Sequence, residues 1–224
     1  MTLDPRIAEA LARLPEYLGA HVVLSLSALG LGLALSLPLA LLAVRSPRLR
    51  WVLLTAASVI QTIPSLALLA LFYPLLLALS LLTKTVTGAQ FSALGFLPSL
   101  LALTLYSMLP ILRNTVTGLL GVEAAAKEAA LGVGMTRMQS LLQVELPLAL
   151  PVIMAGIRTA AVINVGTATL AAFIGAGGLG DLISAGLALS DTRMILSGAL
   201  PAALLALLVD GVLGWCERLV TPVT

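Results

Sequence analysis

Long apolar runs separated by short polar connections make up most of this 224-residue sequence. Hydrophobic residues account for 60% of the chain and charged residues for only 10%, whereas soluble domains carry about 25% charged residues. A membrane-crossing helix needs about 20 apolar residues, so the chain has room for five or six crossings and for no separate soluble domain. The sequence therefore predicts an all-α membrane protein. Any domain that hydrolyses ATP or captures a ligand has to come from another chain.

Four of the apolar runs have the length of a single crossing, and they cover residues 22–44, 97–120, 148–173 and 194–215. A fifth run, at 51–82, is too long for one straight helix. Pro64 and Pro74 are predicted to kink it, because proline removes a backbone donor and leaves carbonyl groups without partners. We interpret this run as one kinked crossing, for five in all. If this run made two crossings, the basic cluster at 45–50 and the polar segment at 123–147 would lie on opposite sides of the membrane.

Lysine and arginine residues in the connections predict the orientation, because they are enriched on the cytoplasmic side of membrane proteins. One side holds Arg45, Arg48, Arg50, Lys127, Arg137 and Arg218, with Arg113 near it, and the other holds Arg6, Arg13, Lys84 and Arg193. The first side is the richer. The polar segment at 123–147 is therefore predicted to face the cytoplasm.

This polar segment is rich in alanine, glutamate, lysine and leucine, which are strong helix formers. It predicts a short helix that ends near Gly132 and Gly134. Thr136 and Gln139 have the spacing of a capping box, so a second helix is expected after the glycine turn. The segment is predicted to form a helix–turn–helix between two membrane crossings.

A protruding helix of this composition suits a groove on a partner protein. The predicted surface combines small, charged and adaptable apolar residues, and it consists of alanines 125, 126, 129 and 130, Glu128, Met135 and Met138. The alternative is an interfacial helix that only caps the bundle.

The same segment resembles the EAA loop of ABC importer permeases, whose pattern is E-A-A, three residues, G, nine residues, I, one residue, L-P. Every spacing is kept, with valine in place of isoleucine, and the matching residues are Glu128, Ala129, Ala130, Gly134, Val144, Leu146 and Pro147. Four further segments, at 61–65, 109–114, 156–159 and 174–180, are similar to the osmoprotectant branch (glycine betaine/choline type). The resemblance extends through most of the chain.

The resemblance implies a type I ABC importer permease fold with about five transmembrane helices and a cytoplasmic coupling helix. It implies an N-terminal extracytoplasmic or interfacial segment at 1–21, a permease domain at 22–218 and a cytoplasmic tail at 219–224. Residues 5–17 are expected to form a short amphipathic helix at the surface. Within 123–147, residues Glu128, Ala129, Ala130, Gly134 and Pro147 are expected to couple the permease to an ATPase. The location implied is the cytoplasmic (inner) membrane of a prokaryote, crossed several times.

The partners implied are ABC ATPase subunits, a second permease copy or a paralogue, an extracytoplasmic substrate-binding protein and the lipid membrane. ATP and Mg are expected in the ATPase, with no cofactor in this chain. The net charge is only +2 and the basic residues are scattered along the chain, so there is no reason to expect a nucleic acid partner. Tight capture of a quaternary ammonium group calls for an aromatic cage, and only 4% of the residues are aromatic. High-affinity capture is therefore expected in the binding protein.

Three ionisable residues fall inside predicted crossings, where such groups are functional candidates. Arg113 and Asp210 lie at similar depth, about two turns from the cytoplasmic end of their helices at 1.5 Å per residue, and we predict a salt bridge between them. Arg158 is deeper and has no evident acidic partner in the sequence. It is expected to bond either to backbone carbonyls freed at a proline or to a second copy.

Neutral polar residues in the apolar runs are candidates for the translocation path. They are Gln61, Thr62, Pro64, Asn114 and Asn164. The alternative is that they hold helices together through hydrogen bonds.

The glycine-rich run at 174–180 lacks the strand and the Lys-Ser/Thr of a phosphate loop. The resemblance places Gly175, Gly177, Gly178 and Gly180 in an outer gate region, and backbone flexibility is the expected role. A tight turn is the alternative.

No catalytic set and no group with metal-ligand spacing is visible, so the chain is predicted to be a transport subunit and not an enzyme. His21, the only histidine, is expected to be structural or interfacial. Cys216 is the only cysteine, which excludes an internal disulfide.

The predicted function is a permease subunit of an ABC importer for a small compatible solute such as glycine betaine, choline or carnitine. A permease for another small substrate such as an amino acid is the alternative. An ion-coupled secondary transporter would be expected to show inverted repeats and carboxylates near the midplane, and a membrane scaffold would not require the polar segment.

Overall fold

The computed structural model describes residues 12–220, which form helices and turns with no strand in that range. The helices are α1 (Leu14–Arg45), α2 (Pro47–Thr62), α3 (Ser65–Thr87), α4 (Phe96–Gly121), α5 (Ala124–Gly132), α6 (Arg137–Ala168), α7 (Leu179–Leu189) and α8 (Thr192–Val220). Five of these, α1, α3, α4, α6 and α8, are long and apolar enough to span a membrane. The predicted all-α architecture with five crossings is confirmed.

Helix α1 begins at Leu14, well before the predicted start of the first crossing at residue 22. Its 32 residues would extend about 48 Å at 1.5 Å per residue, longer than the roughly 30 Å of hydrocarbon. Residues 14–21, which were expected to precede the first crossing, are therefore part of the same continuous helix. The first part of the expected surface helix at 5–17 and the end of the expected tail at 219–224 lie outside the described residues.

The long apolar run at 51–82 is interrupted at Pro64. Ile63 has extended backbone angles (φ −72°, ψ 126°), as expected for a residue that precedes proline, so α2 ends at Thr62 and α3 begins at Ser65. Pro74 lies inside α3, which continues past it. The run is therefore interrupted at Pro64, and the predicted kink at Pro74 stays a prediction.

The two pieces of this run contact different halves of α4, the central and most buried of the spanning helices. Ala57 of α2 packs with Leu112 near the cytoplasmic end of α4, and Leu69 of α3 packs with Ala102 near its outer end. Helices α2 and α3 therefore follow one another along α4 and make a single crossing in two pieces.

Small residues allow α4 and α6 to approach closely, as is common between membrane helices. A Cβ atom added at Gly156 of α6 would lie 2.7 Å from the Pro110 carbonyl oxygen of α4. At Gly118 of α4, an added Cβ would lie 3.0 Å from the Ala149 carbonyl oxygen of α6. The position of α6 against the core is consequently fixed by backbone contact at two levels.

Candidate coupling segment and translocation path

The predicted helix–turn–helix is present on the side of the bundle where α4 ends and α6 begins. The nine residues of α5 end in a Schellman motif, in which Met135 N–H donates to the Ala130 carbonyl (3.1 Å) and Gly134 N–H donates to the Leu131 carbonyl (3.0 Å). This motif needs a left-handed residue, and Gly134 has a φ of +89°. The glycine of the pattern is therefore explained by backbone geometry.

The predicted capping box then starts the second helix. Gln139 N–H donates to Thr136 Oγ1 (3.3 Å), and Thr136 N–H donates to Gln139 Oε1 (2.8 Å). From Arg137 the helix continues into the membrane as α6, with one π-helical turn at Leu141–Glu145. The turn after α5 is thus joined to a spanning helix without an intervening loop.

Helix α5 has an outward face and an inward face, so the prediction that all four alanines form a docking surface is wrong. Ala130 is only 5% exposed, and Ala126 packs against the buried cluster around Leu119 and Ile153. A helix lying along a bundle must bury one side, which the alanine pattern alone did not assign. The outward face is formed by Ala124, Ala125, Glu128, Ala129 and Leu131, with Val133, Gly134 and Met138 in and after the turn. Pro147 is also exposed, whereas Met135 is half-buried.

Two polar contacts missed by the sequence interpretation fix this segment to the bundle. The Lys127 ammonium donates to the Leu119 carbonyl (3.1 Å), which lies in the last turn of α4, and it lies 3.8 Å from the Glu145 carboxylate. Glu145 also accepts a hydrogen bond from Ser140 Oγ (3.2 Å). Cations satisfy the free carbonyl groups at a helix C-terminus, so Lys127 connects α5 to α4 and α6.

The break between α2 and α3 is braced by Tyr106, which no sequence pattern had singled out. The Tyr106 hydroxyl of α4 donates to the Ile63 carbonyl, and the Gln61 side-chain amide donates to the Tyr106 carbonyl (3.1 Å). Thr62 and Pro64 are exposed at the same place. We call residues 61–64 the elbow. Tyr106 lies ten residues into the 26-residue α4, about 15 Å from its start, so the elbow lies beside the middle part of this spanning helix.

The two asparagines occupy different environments. Asn164 is fully buried, and in the orientation that satisfies both ends its amide donates to the Leu103 carbonyl (3.0 Å) and accepts from Leu29 N–H (3.2 Å). It joins α1, α4 and α6, which favours the helix-packing alternative over path lining. Asn114 donates to the Pro110 carbonyl of its own helix (2.9 Å) and lies against Gly156.

The predicted Arg113–Asp210 salt bridge is wrong. Asp210 pairs with Arg158 through two hydrogen bonds, of which the one from Nη2 to Oδ2 measures 2.7 Å. Arg158 also lies 3.6 Å from Glu217, so the expectation that it lacks an acidic partner is wrong too. Arg113 is exposed on α4. The prediction used only the equal depth of Arg113 and Asp210 in the membrane. Asp210 lies on α8, which packs mainly against α6 and α7 rather than against α4, the helix of Arg113.

The glycine-rich run forms a tight turn docked on the bundle. Gly175, Gly177 and Gly178 all have positive φ values between +78° and +88°, and a Cβ at Gly178 would lie 3.2 Å from the His21 side chain. Gly180 approaches the Thr169 carbonyl too closely for any side chain. These contacts support the tight-turn alternative, and the outer gate role stays a prediction.

His21 and the start of α4 hold this turn in place. The His21 ring makes a hydrogen bond between Nε2 and the Val165 carbonyl (3.0 Å), and Gly95 N–H donates to the Ile174 carbonyl (2.8 Å). His21 is 1% exposed, which confirms its structural role. In the first turn of α7, burial raises the pKa of the Asp181 carboxyl above its usual range.

A bundle of five spanning helices with a helix–turn–helix exposed at one end is the architecture of a membrane-embedded transport subunit. The chain belongs to the family of binding-protein-dependent transport system inner membrane components, which matches residues 29–222. It is therefore a permease subunit of an ABC importer and a multi-pass inner membrane protein, and ATP is hydrolysed by a separate subunit. The family implies ATPase subunits and a substrate-binding protein as partners. An ion-coupled transporter and a scaffold are both excluded.

Characterised relatives cover nearly the whole chain. It is 43% identical to the glycine betaine/carnitine/choline transport system permease protein OpuCB of Bacillus subtilis over 91% of this chain and 87% of that protein. It is 44% identical to the choline transport system permease protein OpuBB of the same organism, over 90% of this chain and 86% of that protein. It is 43% identical to the osmoprotectant import permease protein OsmW of Salmonella typhimurium, over 90% of this chain and 89% of that protein.

Solved structures share the fold at low sequence identity. The permease chain of the MetNI methionine ABC transporter, in inward-facing conformations, superposes with a TM-score of 0.79 at 21% identity, covering 98% of this chain and 100% of that one. An amino acid ABC transporter solved with histidines gives a TM-score of 0.75 at 20% identity, covering 97% of this chain and 99% of that one. These matches confirm the predicted type I ABC importer permease fold.

Proposed function

We propose that this permease imports a small compatible solute that carries a quaternary ammonium group, such as glycine betaine, choline or carnitine. The observation that carries the proposal is the identity of 43–44% with permeases named for these solutes, over about nine-tenths of the chain. The amino acid alternative has weaker support, because the methionine and amino acid transporters are only 20–21% identical and share the fold alone.

The proposed working unit contains two permease chains, either two copies or this chain and a paralogue, with ATPase subunits that bind ATP and Mg. The outward face of α5 supports the contact with the ATPase in this arrangement. Glu128 and Ala129 are exposed beside Val133, which is 77% exposed, and a contiguous apolar and small-residue surface next to one charge is typical of a helix that enters a groove. Glu128, Ala129, Gly134 and Pro147 are proposed to contact or shape the ATPase interface, and Ala130 to hold α5 on the bundle.

The elbow is proposed to line the translocation path. Gln61 is half-buried and its side chain donates to the Tyr106 carbonyl. Thr62 and Pro64 are exposed at the point where the helix is interrupted. Irregular backbone within the membrane is tolerated where it borders protein or a water-filled cavity. Tight capture of the solute is assigned to an extracytoplasmic binding protein.

The test is uptake by proteoliposomes that contain the complex with its own ATPase and binding protein. We expect ATP-dependent accumulation of radiolabelled glycine betaine, choline or carnitine, and none of histidine or methionine above the level seen with empty vesicles. A complex lacking the ATPase is the matched control and should accumulate nothing. Uptake of an amino acid and of none of the three solutes would refute the proposed substrate class.

A further inference from the structure

One cavity between α6 and α8 is lined by charged side chains from both helices. It has a volume of about 410 Å³, and its lining includes the carboxylates of Asp210 and Glu217, the guanidinium of Arg158 and the hydroxyl of Thr159. The rest of the wall is aliphatic, formed by Ala155, Val162 and Ile163. No aromatic side chain belongs to this described lining.

The charged groups are arranged by the geometry of α8. Asp210, Gly214 and Glu217 occupy positions i, i+4 and i+7 and therefore share one face of the helix. Arg158 crosses this face at Gly214, where an added Cβ would lie 3.1 Å from its Nη1 atom. The guanidinium forms the close bidentate pair with Asp210 and lies 3.6 Å from Glu217. Two carboxylates thus share one guanidinium at the wall of the cavity.

This face cannot be directed at lipid. The Arg158 and Asp210 side chains are 39% and 35% exposed, and ionised groups in hydrocarbon are strongly unfavourable unless they border protein or water. At the other end of the cavity, Ile163 packs against the buried cluster around Tyr106, and Ile63 of the elbow packs against the same cluster. The cavity therefore adjoins the surface that the proposed function assigns to the path.

We propose that this cavity is a transit site for the cationic group of the solute, which faces the carboxylates of Asp210 and Glu217. The proposal rests on the proposed function and adds where the solute is held within the membrane. A quaternary ammonium group donates no hydrogen bond, so an aromatic cage or a negative field has to hold it. Carboxylates without a cage give weak binding, which suits passage. Arg158 gives a zwitterionic solute a partner for its own carboxylate.

The first test compares two solutes of different net charge in proteoliposomes with saturating binding protein. Glu217→Gln removes one negative charge and leaves the Arg158–Asp210 pair intact. We expect the maximal uptake rate of choline, a cation, to fall about tenfold. Glycine betaine also carries a carboxylate, which Glu217 repels, so the lost attraction is offset and its rate should change by less than about twofold. Glu16→Gln, an exposed carboxylate paired with Arg13 outside the cavity, is the matched control and should alter neither rate.

The second test measures occupancy directly. A Thr159→Cys variant in a Cys216→Ser background places the reactive thiol in the cavity wall, and its labelling by a maleimide is followed in the detergent-purified complex. Tetramethylammonium chloride should slow labelling relative to sodium chloride at equal ionic strength, and it should not do so when Glu217→Gln is added.

Three outcomes would overturn the transit site: an equal effect of Glu217→Gln on both solutes, no effect on either, or a thiol at position 159 that tetramethylammonium does not protect. A wild-type complex that imports neither solute would instead refute the proposed function. The two failures are therefore distinguishable.

Discussion

The turn after α5 gives a prediction whose magnitude follows from one backbone angle. Gly134 has a φ of +89°, and no atom lies within 4 Å of the place where a Cβ would be built. Gly134→Ala therefore adds no clash, and its whole effect is the strain of a left-handed L-residue, about 1–2 kcal/mol. That energy corresponds to a factor of about 5–30 in the population of the intact Schellman turn.

The assay has a structural and a functional part. Hydrogen exchange followed by mass spectrometry should show the amide of Met135, which donates to the Ala130 carbonyl, exchanging about 5–30 times faster in Gly134→Ala. If the ATPase docks only on the formed turn, the affinity of purified permease for the ATPase should weaken by up to the same factor.

Gly132 provides the matched control, because it lies in the same turn region, also with no atom within 4 Å of an added Cβ, but without a positive φ. Gly132→Ala should leave the exchange of Met135 unchanged or slow it, since alanine favours helix over glycine by roughly 0.5–1 kcal/mol. Unchanged exchange and affinity in Gly134→Ala would refute the argument from backbone strain. Equal weakening by both variants would show that an added methyl group crowds the ATPase.

Three further outcomes are expected. Glu128→Arg, which reverses a charge on the outward face of α5, should reduce solute transported per ATP while leaving the thermal stability of the purified permease within about 0.5 kcal/mol; full coupling would remove Glu128 from the interface. Tyr106→Phe should lower the free energy of unfolding by about 1 kcal/mol, because the Ile63 carbonyl loses its donor, and an unchanged melting temperature would contradict this. Burial raises the pKa of Asp181, so its folded state binds the proton more tightly than the unfolded state, and stability is expected to decline as pH rises from the ordinary aspartate pKa through the raised one. Asp181→Asn should remove that decline, with a higher melting temperature at pH 7 than wild type and little difference at pH 3.

The parts of the coupling segment that depend on neighbouring residues could be predicted from the sequence. The capping box at Thr136 and Gln139 was predicted from spacing alone and is present, and α5 ends within the predicted glycines. These features depend on hydrogen bonds between residues three to five positions apart, so the local sequence contains both partners. Four of the five crossings were also predictable, because bilayer thickness fixes the length of their apolar runs. The run at 51–82 exceeds that length, and its interpretation needed the positions of the basic cluster and the polar segment.

The features that depend on which helices are neighbours could not be predicted in the same way. Depth along a helix placed Arg113 and Asp210 at one level, yet the pair that forms uses Arg158, since α8 lies against α6. Tyr106 was missed because its partner, the Ile63 carbonyl, becomes available only where Pro64 ends a helix that packs beside α4. The depth of a side chain in the membrane can be counted from its position in a single sequence. The neighbouring helix that the side chain faces depends on how the spans pack, which a single sequence does not show.

The continuity of α6 connects the coupling turn to the proposed transit site. Thr136 and Arg158 are 22 residues apart along one helix with a single π-helical turn, a distance of about 33 Å at 1.5 Å per residue. Gly156 and Gly118 hold α6 against α4 by backbone contact, so a force on the turn is transmitted along the helix axis and is not absorbed by a loop. Because Arg158 binds both carboxylates of α8, a displacement of α6 must also move α8 or change the pairing at the cavity wall. The charged cavity is therefore a place along α6 where movement of the turn after α5 would alter the electrostatic field at the proposed transit site.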